Sequence, residues 1–286
     1  MSYRIVTDTC CDFPTQMYKE LNLSVVPLSV NYKGQVYDSY SEQWLKEMYD
    51  GLRNEEKATT SAANPQNWAS VMEPVLKAGE DVLVLAFSSG LSTTYQSAVI
   101  AAAELQETYP ERKILVVDTL CASLGQGLLV YYACQKRDEG MPLEELSAWC
   151  EQTRFNLCHW FTVDDLMYLK RGGRISASTA LLGTMLKIKP VLHMDDAGHL
   201  INRFKARGRK AAIDALADKV GELGIPGVND TIFICHGDCM EDAQYLETQL
   251  KEKYGTKKVF IYYTGAVIAS HSGPGTLAVF FLGEHR

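Results

Sequence analysis

Hydrophobic residues fall along this chain in short blocks separated by helical patterns. In the first half, residues 4–7 form an apolar run closed by Asp8, and residues 23–30 form a second extended run. Residues 82–87 (VLVLAF) are continuously apolar, as expected of a strand buried on both faces. Ser88-Ser89-Gly90 follows, and a helical stretch is predicted from about residue 94 to 107. Residues 113–117 (KILVV) predict the next buried strand, closed by Asp118, before a helix with a Gly-rich start that runs to about residue 139. Strand, helix and strand with short connections read as βαβ units and a parallel sheet.

The second half has a different pattern. Residues 157–162 predict a strand. Residues 191–194 and 199–204 flank Asp195-Asp196-Ala197-Gly198, a hairpin turn. Ile213, Leu216, Val220 and Leu223 have helical spacing, and Gly224 and Pro226 stop that helix. Residues 231–235, 259–263 and 276–282 add strands. The expected fold is therefore α/β with two domains. A parallel-sheet α/β/α domain spans residues 1–155, and a mixed-sheet α+β domain spans 156–286.

Composition narrows the function classes. The chain is 47% hydrophobic and 22% charged, which suits a globular protein rather than a disordered one. Its formal net charge of -7 argues against a nucleic-acid binder. No apolar run approaches the roughly 20 residues that span a bilayer, and the N-terminal segment turns polar at Thr7. The expected location is cytoplasmic, where the eight cysteines serve mostly as small buried hydrophobes.

Several catalytic and cofactor signatures are missing. There is no G-x-x-x-x-G-K-[ST] phosphate loop and no G-x-G-x-x-G after a strand. The loop Phe87-Ser88-Ser89-Gly90 lacks the first glycine of a nucleophile elbow. His236 and Cys239 have no further residues in sequence to complete a metal set, and adjacent Cys10 and Cys11 are not a C-x-x-C pair. No cofactor is expected.

Four polar clusters remain. Thr59-Thr60-Ser61-Ala62-Ala63-Asn64-Pro65 is a hydroxyl-rich loop before a helix. Ser88-Ser89-Gly90-Leu91-Ser92-Thr93-Thr94 follows the most apolar strand, where open parallel sheets bind ligands. Both suit a carboxylate or another anion, and both equally suit plain helix capping. Ser270-His271-Ser272-Gly273-Pro274-Gly275 places a histidine in a turn that exposes its ring. Lys170-Arg171-Gly172-Gly173-Arg174 and then Arg203, Lys205, Arg207, Arg209 and Lys210 concentrate positive charge on an acidic protein. That concentration suits a phosphate or an acidic partner surface.

Taken in order, these pieces resemble the DegV family of bacterial fatty-acid-binding proteins. The matching motifs are Thr7-Asp8, Thr60-Ser61, Ser88-Ser89-Gly90-Leu91-Ser92, Val163-Asp164-Asp165-Leu166, Tyr168-Leu169-Lys170-Arg171-Gly172-Gly173-Arg174, Lys187-Ile188-Lys189-Pro190, Arg207-Gly208-Arg209-Lys210 and Ser270-His271-Ser272-Gly273-Pro274-Gly275. The resemblance departs at Cys10-Cys11, Ala62-Ala63 and Thr93. It implies a DegV-like fold with a long-chain fatty acid such as palmitate buried between its two domains. It also implies a separate fatty acid kinase as partner, to which the carrier presents the carboxylate. The carboxylate-binding hydroxyls would be Thr60 and Ser92, with His271 beside them and Arg171 supporting. Arg174, Lys205, Arg207 and Arg209 would face the kinase. Two other classes stay open at this point: a phosphoryl-transfer or hydrolytic enzyme using Ser92 or His271, and a regulatory metabolite-binding module.

Overall fold

The computed structural model describes residues 2–176 and 188–286. Lys187, the first residue of one of the motifs above, lies outside the described residues.

The chain opens with β1 (Tyr3–Asp8), α1 (Thr15–Glu20) and β2 (Ser24–Val26). Next come β3 (Ser29–Tyr32), β4 (Gln35–Tyr37), α2 (Glu42–Arg53), β5 (Ala58–Ser61) and α3 (Pro65–Lys77). β6 (Asp81–Ala86), α4 (Thr94–Thr108), β7 (Ile114–Asp118), α5 (Ser123–Asp138) and α6 (Leu143–Thr153) follow. β1, β2, β6 and β7 form a parallel sheet in the order β2-β1-β6-β7, with the continuously apolar β6 buried at every residue. β1 is joined to β2 on one side while β6 continues to β7 on the other. The topological switch point therefore lies between β1 and β6, where such sheets leave a crevice at their carboxyl ends.

Two expectations change here. The run 23–30 is not one strand. It divides at Pro27, which has no N–H for a ladder, so β2 joins the parallel sheet while β3 starts a small antiparallel sheet of order β4-β3-β5. The segment from Thr59 to Ser61 is not loop. Its β-branched residues make β5, and Thr60 pairs with Val30 of β3.

The second half contains β8 (Leu157–Thr162), α7 (Met167–Arg171), β9 (Ile188–Met194), β10 (Leu200–Arg207), α8 (Arg209–Leu223), β11 (Thr231–His236), α9 (Met240–Tyr254), β12 (Lys258–Tyr263), α10 (Ala266–Ser272) and β13 (Leu277–Leu282). Its strands form a mixed sheet of order β10-β9-β8-β13-β11-β12, antiparallel except for the β11–β12 pair. The predicted hairpin joins β9 to β10. Asp195 Oδ1 accepts the Ala197 and His199 N–H groups at 3.0 and 2.8 Å, and Gly198 takes φ +75°. α5 carries the contact between the two sheets. It is buried along most of its length and touches β8, β11 and β13 of the mixed sheet. Seven of the eight cysteines are buried as free thiols, and Cys239 is half-buried. Among the described residues, no helix is long and apolar enough to cross a membrane.

Candidate functional site

A cavity of about 660 Å³ lies between the carboxyl ends of the parallel strands, the mixed sheet and α10. That size is typical of small-molecule sites. Phe87 follows β6 and Ala122 caps α5; Phe161, Met194, Leu200, Ala278 and Phe280 come from the mixed sheet; and Val267 and Ile268 from α10. Two acids, buried Asp8 and half-buried Asp118, hold the loops that shape it. Asp8 Oδ2 accepts the Phe87 N–H at 2.8 Å while its Oδ1 accepts that of Cys10 at 3.0 Å. Asp118 Oδ1 accepts the Ser89 N–H at 3.1 Å. Burial raises the Asp8 carboxyl to about 6 despite these donors.

Thr60, Ser92, Arg174 and His271 mark one end of the cavity, whose lining also includes the polar Gln96, Ser123, His159 and Thr264. Thr60, Arg174 and His271 also line a polar surface depression of about 940 Å³, so this end is the mouth. Thr60 Oγ1 and His271 Nε2 lie 2.7 Å apart, joining β5 to the last turn of α10 across 211 residues of chain. The His271 ring is not exposed in a turn, as its sequence context suggests. It is half-buried on α10, because the Gly-Pro-Gly turn begins only after Ser272. Burial, with the nearby Arg174 charge as a second cause, lowers its pKa to about 4. His271 is therefore neutral at physiological pH.

A neutral imidazole can donate or accept at Nε2, so a bound group sets the direction of the hydrogen bonds. When an anion at the mouth accepts the Thr60 O–H, Thr60 Oγ1 is left to accept, and His271 Nε2–H supplies the proton. The result is a two-step donor chain from imidazole to hydroxyl to ligand. Ser92 stands on the loop before α4. Its Oγ accepts the Thr94 N–H at 3.2 Å and lies 2.8 Å from Thr94 Oγ1. Capping and ligand binding are thus compatible at Ser92: with Thr94 Oγ1 donating to it, the Ser92 O–H is free to point into the cavity.

Both arginines border the outer depression, but only Arg174 also borders the cavity. Arg174 is half-buried in the cavity wall, where its Nε donates to the Leu91 carbonyl at 3.1 Å and Nη1 to that of Gly172. Burial lowers its pKa from the ordinary value, yet a guanidinium stays charged. Arg171 is exposed in the outer depression, 4.5 Å over the Tyr168 ring, and is absent from the cavity lining. Further out, Lys205 and Arg207 are exposed on β10, an edge strand, and make no ion pair among the described residues. Arg209 is engaged: its Nε lies 2.8 Å from Asp242, and its Nη1 3.8 Å from Asp164.

Sequence reading missed the apolar cavity-lining residues such as Phe161, Leu200 and Phe280. Apolar side chains on core strands carry no local sign that they border a cavity rather than fill one. It also missed Arg174 as a wall residue. The signal there was Gly173, whose φ of +72° turns the chain back after α7 and carries Arg174 inward. Among the described residues, no group of three metal-ligating side chains comes together.

The family model described as "Uncharacterised protein, DegV family COG1307" matches residues 2–284. A DegV domain-containing protein of Clostridium perfringens is 45% identical over 284 residues, covering 99% of this chain and 98% of the relative. Among solved structures, a DegV family protein from Thermus thermophilus described for its fatty acid binding is similar with a TM-score of 0.88 and 34% identity, covering 99% of this chain and 100% of that one. A DegV lipid-binding protein from Thermotoga maritima has a TM-score of 0.87 and 29% identity, with full coverage of both chains. With a family model spanning nearly the whole chain and a relative this close, the protein belongs to the DegV family.

Proposed function

We propose that this protein binds one long-chain fatty acid, with its tail in the cavity and its carboxylate at Thr60 and Ser92, and presents that carboxylate to a separate fatty acid kinase. The observation that carries this reading is the shared wall. Thr60, His271 and Arg174 border both the apolar cavity and the polar outer depression, so a head group there meets solvent while the tail stays dry. The Thermus and Thermotoga relatives, described as fatty-acid- and lipid-binding, support it.

The physics of such a ligand fits the two ends of the cavity. Burying about 15 methylenes at about 0.8 kcal/mol each gives a gross gain of about 12 kcal/mol, from which association and ordering costs subtract several. The carboxylate cannot enter an apolar site unpaired. Thr60 and Ser92 offer neutral donors, and the Arg174 charge behind them offsets the anion. One donor on Nε and one on Nη1 of Arg174 are engaged by the Leu91 and Gly172 carbonyls, so these two do not clamp the carboxylate, whose oxygens remain nucleophilic. A kinase docked over the depression would transfer a phosphoryl group to one of them, and its donor nucleotide would leave as the diphosphate. Arg171, standing in that depression, would face the incoming donor, and Lys205 and Arg207 would steer the acidic face of the kinase. No catalytic role is assigned to this chain. The test is reconstitution: delipidated protein, palmitate, nucleoside triphosphate and the kinase of the same organism. Acyl phosphate forming only when all four are present is expected. Equal turnover without this protein would overturn the carrier role.

A further inference from the structure

We propose that Gly172 is a positioning residue that seats α7 against the His271 imidazole and so aims Nε2 at Thr60. This rests on the reading of Thr60 and His271 as partners of the carboxylate. The observation is a close approach that only glycine permits. A Cβ at Gly172 would lie 2.2 Å from His271 Nδ1 and 3.1 Å from its Cγ. The Gly172 backbone itself is ordinary right-handed helix, φ -73° and ψ -10°, which any residue can adopt. The glycine is therefore required by the ring and not by the turn.

Two further glycines complete the fit from the other side. A Cβ at Gly273 would lie 2.5 Å from the Tyr168 ring, and one at Gly275 would lie 2.1 Å from the Asp164 carboxylate. Both have positive φ, so a substitution there would mix backbone strain with the clash. Gly172 alone isolates the contact. α7 is anchored independently, since the Tyr168 hydroxyl donates to the Leu52 carbonyl at 2.7 Å. With the Gly172 backbone against it, His271 Nδ1 is buried with no hydrogen-bond partner among the described residues. Among the described residues the ring thus has a single hydrogen-bond partner, Thr60. Moving α7 outward by the width of a methyl group frees the ring to rotate away from that contact. The carboxylate would then be governed from an element whose own glycine never touches it.

The experiment compares wild type, Gly172→Ala, His271→Ala and the double variant, all as full chains freed of lipid. Three quantities are read: the melting temperature, the imidazole NMR resonances of His271, and the affinity for palmitate. In a right-handed helical backbone alanine ordinarily stabilises relative to glycine, so a lowered melting temperature for Gly172→Ala is diagnostic. The proposal expects that lowering, its reversal in the double variant, and shifted His271 resonances in Gly172→Ala. It further expects roughly tenfold weaker palmitate binding, the scale of one hydrogen bond to a charged group, with less than about twofold further loss once His271 is alanine. If Gly172→Ala does not fold, a folded double variant supports the contact and an unfolded one overturns it. An unaltered His271 spectrum, or a destabilisation that persists undiminished without the ring, also overturns it. If the melting and NMR effects hold while His271→Ala leaves palmitate affinity unchanged, the positioning contact stands and the carboxylate role of His271 fails.

Discussion

Replacing Thr60 with valine removes one hydroxyl and almost nothing else. Thr60 lies on β5, whose backbone pairing with β3 is indifferent to the side chain, and valine is a strong strand former. The lost contact with His271 Nε2, 2.7 Å in the free protein, costs about 1 kcal/mol of stability, which valine partly restores. The ligand-free melting temperature should fall by no more than about 4 °C. Binding is affected far more. A hydrogen bond to a charged acceptor contributes about 1.5–3 kcal/mol, and its loss corresponds to roughly 10- to 150-fold in Kd. The assay is displacement of a fluorescent fatty acid by palmitate and, in parallel, by its methyl ester. The ester fills the same cavity but presents no charge, so its hydrogen bond is about half as strong. Thr60→Val should therefore weaken the acid by a clearly larger factor than the ester. An equal factor for both would refute the reasoning, because Thr60 would then act through cavity shape and not on the carboxylate.

Three other outcomes are expected. His271 is lowered from 6.5 to about 4 by burial, so between those values the unfolded chain holds a proton that the folded chain lacks. Stability from the neutral ring is present above 6.5 and lost as pH falls toward 4. Ligand-free His271→Ala should therefore lose less melting temperature than wild type between pH 7 and 5, and an equal loss would contradict the neutral, buried ring. Charge reversal at Lys205 and Arg207, both exposed on β10, should slow kinase-coupled turnover, flatten its salt dependence and leave palmitate affinity unchanged. Turnover and salt response like wild type would place the docking face elsewhere. Arg209→Glu should instead destabilise the fold, because it would set like charges against Asp242 and Asp164; a melting temperature equal to wild type would contradict that pairing.

The parallel and mixed sheets were legible because their strands are buried on one or both faces. Continuous apolar runs such as β6, and the Asp195–Gly198 turn between β9 and β10, leave a direct imprint on composition. The small β4-β3-β5 sheet was not legible. Its strands have three or four residues each, too few for their alternation to stand out, and β3 and β5 depend on pairing across about 30 residues of chain. The site shows the same division. Thr60, Ser92 and His271 stood out as polar residues in loops and at element ends, and the resemblance linked them. Their joint bordering of one cavity is a tertiary fact, as is the inward path of Arg174 after Gly173. Arg171 and Arg174 are three residues apart in one basic motif, and nothing in sequence says that only Arg174 borders the cavity while both border the outer depression.

The central claim is tested most directly by mass spectrometry of an organic extract of the purified protein, followed by titration of the delipidated chain with palmitate. The account predicts a long-chain acid in roughly equal molar amount to protein, and saturable rebinding at one site that Thr60→Val weakens. An extract without fatty acid, together with a delipidated protein that binds no long-chain acid, would contradict it.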